Sequence, residues 1–535
     1  MTKLTRLEAQ ELRIENDIEH IQQDSESKEL YKSTSAISVI YRPSTSYGSI
    51  TLMQEIIFMI FMCFSQLFTQ AAVAQTMNTS LLIAKTFDVS DQPGEISWFS
   101  AAYSMTVGTF ILSSGRLGDM YGYKKMYIIG FIWFGVASLL CGFAGLAACK
   151  LFFDISRALQ GIGPAIMMPN TQALIGAFYQ DGTRKNMCMA FFGAIAPTGF
   201  FVGAIFNGLL AVKIWWAWSF WIGGIASIVV GILALFAIPK NIGVLSGGSF
   251  DYWGSLFGVS GLILINFGFN QGPNVGWSTV YVYVLFIIGF ACMVVFYFVE
   301  KKVKDPLVPP EIFKGETGLV LICVAAGWSS FGIWIFYQFR WALIVDNDTP
   351  IMLAVYNIPT IITGALASVA TAILLTKIPS AVVMFLSMLP FLIGIVLMGT
   401  RPVGQTYWAQ KFVSILIQPI GMDMSFPAAC IVLSTAFPTQ QQGIAGSLVS
   451  TFVNYSVSIG LGLAGAVEYY TTKGMEPSLE TDIHGMRNAF HMGTGLAGLG
   501  VLVSAAFMVI QLMNRKRFIE SQMYEEKGND TQYSA

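Results

Sequence analysis

The segment spanning residues 115–146 reads GRLGDMYGYKKMYIIGFIWFGVASLLCGFAGL. Its first third is glycine-rich and charged, and from Met126 to Leu146 no charged residue occurs. A helix of about 20 apolar residues crosses the hydrocarbon core of a bilayer. Met126–Leu146 is therefore predicted to span a membrane, with the polar piece before it turning at one membrane face. Similar windows begin near Met53, Ser97, Met126, Lys150, Met187, Trp215, Trp253, Thr279, Gly318, Ile351, Ser380, Thr406, Gly443 and His491. The pattern predicts an all-α membrane protein with about 14 transmembrane helices.

Composition agrees. Of 535 residues 54% are hydrophobic and 11% charged, where soluble chains carry about a quarter charged residues. The formal net charge of −1 leaves no basic surplus for neutralising phosphates, so nucleic acid is not an expected partner. The seven cysteines lie within or beside apolar stretches without metal-ligand spacing, and the three histidines are dispersed. There is no phosphate-binding glycine loop and no converging Ser/His/Asp set. An enzyme is disfavoured, no cofactor or metal is expected, and a transporter drawing on a gradient is the leading reading.

Charge placement orients the chain. With the N-terminus in the cytosol, the inner segments gather Arg116, Lys124, Lys125, Arg184, Lys185, Lys301, Lys302, Lys304, Lys314, Arg515, Lys516 and Arg517. The outer ones hold far fewer bases, among them Lys85, Lys150, Lys213, Arg340 and Arg401, as the positive-inside rule requires. Both termini are expected in the cytosol. Residues 1–52 are polar with mixed charge and no apolar signal region, and are expected to be a disordered tail, with an amphipathic piece around Leu7 to Ile21. Residues 53–238 should form one six-helix half, 239–317 two inserted helices with a Pro-containing linker, 318–514 a second six-helix half, and 515–535 a cytosolic tail resembling the first. Asn347-Asp348-Thr349 is a glycosylation sequon in a predicted outer loop.

Three motifs carry the chemistry. Gly115, Arg116, Asp119, Gly122 and Lys124 make a charged cytoplasmic turn suited to locking one conformation and releasing in another. Arg157, followed by Gln160, Gly161 and Gly163, places a cation inside an apolar span; insertion scales price that at about 3 kcal/mol, so it should border a cavity or a partner. Gly193, Ala196, Pro197, Gly199, Gly203 and Gly208 form a small-residue face for close helix packing, with Pro197 permitting a bend.

In this order and spacing, the motifs resemble the major facilitator superfamily, and its fourteen-span fungal drug:proton antiporter branch in particular. The likeness covers essentially residues 50–515. The family's Gly-x-Leu-x-Asp-x-x-Gly-x-Lys skeleton stands at Gly115, Leu117, Asp119, Gly122 and Lys124. Asn270-Gln271-Gly272-Pro273, Ala326 to Gly332, Gly421 to Pro427 and Val453 to Ser456 are similar to the aminotriazole-resistance, boron-efflux and low-affinity ammonium carriers. Two positions depart from the branch: Phe200 stands where its antiporter motif has proline, and Val73 where span 1 often has an acid. The resemblance implies two parallel six-helix halves, and Gln160, Ile162, Gly163 and Pro169 recur in step as Gln418, Ile420, Gly421 and Pro427.

Asp423 is the clearest acid deep in an apolar span. With Arg157 it is the expected proton-coupling pair, the two bordering a shared wet pocket. Gln70, Gln75, Asn78, Gln160, Asn270, Trp328, Tyr337, Gln338 and Asn454 are the expected lining of a substrate cavity; Glu468 lies near an outer helix end. The expected partners are a small polar solute or weak base (ammonium, borate or a toxic small molecule), protons and the lipid bilayer, with the chain acting as a monomer, most naturally in the plasma membrane. An uncoupled facilitator and a signalling receptor stand as alternatives.

Overall fold

The computed structural model describes residues 51–90, 92–179, 183–239, 242, 250–303, 306–435 and 442–533. The expected disordered tail falls, up to residue 50, outside the described residues. The helices are α1 (Leu52–Met77), short α2 (Ser80–Thr86), α3 (Pro93–Tyr121), α4 (Tyr123–Leu146), α5 (Lys150–Phe178), α6 (Thr183–Lys213), α7 (Ala217–Ala237), α8 (Tyr252–Val275), α9 (Val280–Glu300), α10 (Gly315–Ile344), short α11 (Pro350–Tyr356), α12 (Pro359–Lys377), α13 (Ser380–Gly399), α14 (Gln410–Thr435), α15 (Gln442–Thr472) and α16 (Leu479–Tyr533). No strand occurs among the described residues.

Among the described residues twelve helices are long and apolar enough to cross a membrane, with α11 and α12 counted as one span. Two more, α3 and α5, have 29 residues each but fall below that apolarity. These two carry the charged turn and Arg157, and each buries much of its polar content against neighbouring helices.

Helix ends follow local chemistry. Thr51 caps α1 in a reciprocal box with Gln54. Pro359 stands in the first turn of α12, where its missing N–H costs nothing, so the span beginning at Pro350 breaks at Asn357–Ile358. Two expectations are corrected. The final helix starts at Leu479, twelve residues before His491, because Glu480 and Asp482 favour the positive end of a helix dipole. It also continues to Tyr533, so the described part of the C-terminal tail is helical.

The packing is that of two related halves. In the first, α1 packs on α6, α3 on α5, and α4 on α5 and α7. In the second, α10 packs on α15, α12 on α14, and α13 on α14 and α16, the same graph shifted along the chain. The halves meet along two seams, α3 against α15 and α6 against α12. Helix α8 lies over the first seam, touching both α3 and α15, and α9 packs on α8 with its remaining faces exposed.

Candidate functional site

Arg157 is fully buried, and its guanidinium donates hydrogen bonds to acceptors on three helices. Its Nε donates to Phe99 O (2.9 Å) on α3, and one Nη to Ala72 O (3.1 Å) and Thr76 Oγ1 (3.3 Å) on α1. The other Nη donates to Gln160 Oε1 one turn on. The Tyr103 ring lies 4.6 Å from the guanidinium carbon, adding a cation–π contact. Gln160 Nε2 continues the network to Ser138 Oγ (2.6 Å) and Gln75 Oε1 (3.4 Å), and Gln75 Nε2 reaches Ser219 O (3.1 Å) on α7. One cation thus ties α1, α3 and α5, with α4 and α7 joined through amides. Delocalised charge shared among carbonyls is a setting in which a buried guanidinium without a carboxylate partner persists.

Asp423 has the opposite surroundings. It sits near the middle of α14, and its Oδ2 is buried without a hydrogen-bond partner. The walls around that oxygen are Gly364 of α12 and Pro197 of α6: a Cβ added at Gly364 would fall 2.7 Å from Asp423 Oδ2 and 3.3 Å from Pro197 Cγ. Asp423 therefore lies on the α6/α12 seam between the halves. Among the described residues no hydrogen bond or ion pair joins it to Arg157, whose partners all belong to the first half.

The remaining expected cavity residues are placed as ties between and within helices. Asn78 Nδ2 donates to Ala204 O of α6 (2.7 Å), and Gln70 packs beside Gly199. Asn270 Nδ2 bonds Asn266 Oδ1 (2.9 Å) and Ser458 Oγ (3.4 Å), joining α8 to α15. Trp328 Nε1 donates to Ser425 Oγ (3.2 Å), Tyr337 OH to Glu468 Oε2 (2.8 Å), Gln338 Nε2 to Asn357 Oδ1 (3.1 Å), and Asn454 Nδ2 to Ser450 O (3.0 Å). Cavities of about 380 and 340 Å³ lie at the periphery, beside Phe313, Leu319 and Phe452 and beside Glu55, Tyr179 and Cys188, and none of the expected cavity residues lines either.

The charged turn after α3 is tighter than the motif suggests. Helix α3 runs through Gly115 and Asp119 to Tyr121, and only Gly122, at φ 99°, breaks it before α4 begins. That conformation is open to glycine and strained for other residues. Tyr123 OH donates to Asp119 Oδ1 (2.7 Å), and Arg116 Nη1 lies 3.8 Å from Asp119 Oδ2. Lys124 Nζ caps the C-terminus of α7 at Leu235 O (2.8 Å) and Ile238 O (2.5 Å). Gly115 faces Ser447 of α15, so this corner touches the second half.

Sequence reading missed two buried charge clusters near one set of helix ends. Arg340 Nη1 holds both Glu468 oxygens (2.9 and 3.0 Å), and both residues are under 4% exposed. Arg401 and Lys411 converge on Asp346, with Lys411 also 2.8 Å from Asp348. The available signal is a set of opposite charges near predicted helix ends, of which Glu468 alone reads as interfacial and Arg340 and Arg401 count among the outer bases.

Two packed helical halves, with a cation network in one and a buried carboxylate at the seam, are the architecture of a membrane transporter. The chain belongs to the Major Facilitator Superfamily, whose model matches residues 56–356. It is 45% identical over 89% of its length to the low affinity ammonium transporter of Saccharomyces cerevisiae, of which the match covers 93%. With the aminotriazole resistance protein of the same yeast it shares 36% identity, covering 87% of this chain and 86% of that one. Among solved structures, a POT family transporter in complex with a thioalcohol-conjugated peptide superposes with TM-score 0.62 at 14% identity, covering 86% of this chain and 96% of the other, which shows the shared fold. The chain is a secondary transporter of small solutes or drugs, in the fungal drug-transporter branch, and not an enzyme.

Proposed function

We propose that this transporter carries a small weak base of the ammonium class and exchanges it against protons, with Asp423 taking up each in turn. The observation that carries the reading is the unpartnered, buried Oδ2 of Asp423 at mid-helix on the α6/α12 seam. An unpaired carboxylate charge is expensive in such a place, so closing the seam over it is cheap only once a proton or a cation neutralises it. Neutralisation and closure are thereby linked, which is what coupling requires. Arg157 serves as a positioning residue that holds α1, α3 and α5 as one moving body. The turn at Gly122 with Lys124 and Asp119 acts as the cytoplasmic switch. The relatives support the substrate class, since one is named for ammonium and another for resistance to a small heterocycle. The chain works as a monomer in the plasma membrane with both termini in the cytosol.

A second reading, an uncoupled facilitator, is favoured by α1, which has no carboxylate beyond Glu55. Labelled methylammonium flux into proteoliposomes, measured at two opposed proton gradients, separates the two. The coupled reading expects gradient-driven accumulation, and loss of that accumulation by about ten-fold or more in a folded Asp423→Asn variant. Full accumulation by that variant would overturn it.

A further inference from the structure

The walls around Asp423 say more than that a charge resides there. Asp423, Gly364 and Pro197 each lie within about one helical turn of the middle of their spans, 410–434, 350–377 and 187–213, so three helices meet at the same depth. Thr360, one turn before Gly364 on the same face of α12, has a buried Oγ1 without a partner. Gln338 of α10 ties its amide nitrogen to Asn357 in the turn before that, leaving its own Oε1 buried and unpartnered. The rings of Phe200 and Phe339, 6.0 Å apart, bring α10 against α6 one turn from Pro197. Three unpartnered oxygens thus lie on the second half's side of the seam, strung over about two helical turns, and the one at Gly364, Asp423 Oδ2, faces a proline ring.

Resting on the reading of Asp423 as the charge-carrying residue, we infer that this seam is the seat of the transported cation and admits only small cations rich in N–H donors, with Gly364 and Pro197 as the size filter. Asp423 Oδ2 at the slot can only accept, so the group that satisfies it brings N–H donors and positive charge, and the Thr360 and Gln338 oxygens further along α12 offer such a donor-rich ion successive acceptors on its way in. Ammonium and primary alkylammonium ions do both. Each N-methyl group exchanges a donor for bulk. The space at Gly364 is already too small for one carbon atom when the seam is shut, because a Cβ there would stand 2.7 Å from the carboxylate oxygen. The seam must part to load, and how far it closes again depends on the cation left inside. Selection therefore operates at closure.

The test is a competition series in proteoliposomes of the full chain. Ammonium, methylammonium, dimethylammonium and tetramethylammonium compete with labelled methylammonium flux in the wild type, Gly364→Ala and Pro197→Ala. In the wild type, inhibition should weaken with every methyl group by about ten-fold, the usual discrimination for one carbon in a tight pocket. Gly364→Ala narrows the slot and should steepen that series; Pro197→Ala removes ring carbons and should flatten it. If both variants are monodisperse and keep the wild-type ratios, the filter is refuted, even if overall rates fall. Should Gly364→Ala fail to fold, Pro197→Ala alone decides by the same ratio. Asp423→Asn run in parallel keeps the outcomes separate: full flux there refutes the underlying reading, whereas lost flux with unchanged ratios in the other two refutes only the filter.

Discussion

The Arg340–Glu468 pair permits a quantitative test of what holds the second half together. Both side chains are almost wholly buried, on α10 and α15, and Glu468 accepts from Arg340 Nη1 at 2.9 and 3.0 Å and from Tyr337 OH at 2.8 Å. Glu468→Gln keeps the volume but strands the guanidinium. Removing one partner of a buried pair costs about 3–5 kcal/mol, because the surviving charge is uncompensated. Here Asp482 Oδ1 stands 3.6 Å from Arg340 Nη2, itself partly exposed, and can take up part of the charge. The expected loss is accordingly at the low end, about 3 kcal/mol. Replacing both residues by methionine removes the two desolvation costs with the attraction, and should fall within about 1 kcal/mol of the wild type. Reversible unfolding in mixed detergent–SDS micelles of the wild type, Arg340→Met, Glu468→Met and the double variant gives the four free energies of the double-mutant cycle, with Glu468→Gln measured beside them. A Glu468→Gln loss below about 1 kcal/mol, or a double variant as unstable as the two singles added together, would refute the reasoning.

Two further outcomes follow from close contacts. Gly108 of α3 faces Tyr455 N and Thr451 O of α15, which a Cβ would approach to 2.7 and 3.1 Å, so Gly108→Ala should hold this seam apart and raise the labelling rate of a cysteine probe placed along it. Lys124→Met removes the cap from Leu235 O and Ile238 O; it should lower stability by about 1 kcal/mol and leave ammonium competition ratios unchanged, checked by thermal melting and flux.

The spans were legible because lipid imposes one requirement on every helix that meets it, and apolar windows read that requirement directly. Where a helix leaves the bilayer the requirement lapses, which is why the polar start of α16 at Leu479 escaped notice. Arg157 and Asp423 stood out for the same reason: a charge inside an apolar run is visible without knowing the fold. Their partners were not visible. Whether Tyr337 points at a cavity or at Glu468 depends on the rotation of α10 against α15, and a change of one residue in register reverses the answer. Gln160 shows the limit most plainly. Sequence repetition pairs it with Gln418, yet Gln160 binds Arg157, Ser138 and Gln75, while both polar atoms of Gln418 are buried without partners, because Ile415 stands where the first half has Arg157.

The two seams are built on different physics, and the difference bears on how the halves move. At α3/α15 the contact is polar and close. Ser458 Oγ lies 3.1 Å from Ala101 O on α3 and 2.7 Å from Asn266 Oδ1 on α8, and its one proton can serve only one of them. When α3 withdraws, the hydroxyl keeps Asn266 and Ala101 O retains its place in the helix ladder, so the side-chain hydrogen bond given up is the one from Trp98 Nε1 to Gln271 Oε1 of α8 (3.0 Å), about 1 kcal/mol net. Helix α8 stays bound to α15 through Asn270 and through Tyr455 OH on Leu262 O (2.9 Å), and therefore travels with the second half. At α6/α12 the contact is a proline ring, a glycine and one carboxylate oxygen, with no protein partner for that oxygen to lose. On the proposed reading, opening there wets Asp423 and closing there requires its charge to be neutralised. The inserted helices thus ride on a seam held by few side-chain hydrogen bonds, while on the proposed reading the other seam is where a bound cation or proton decides whether the halves close.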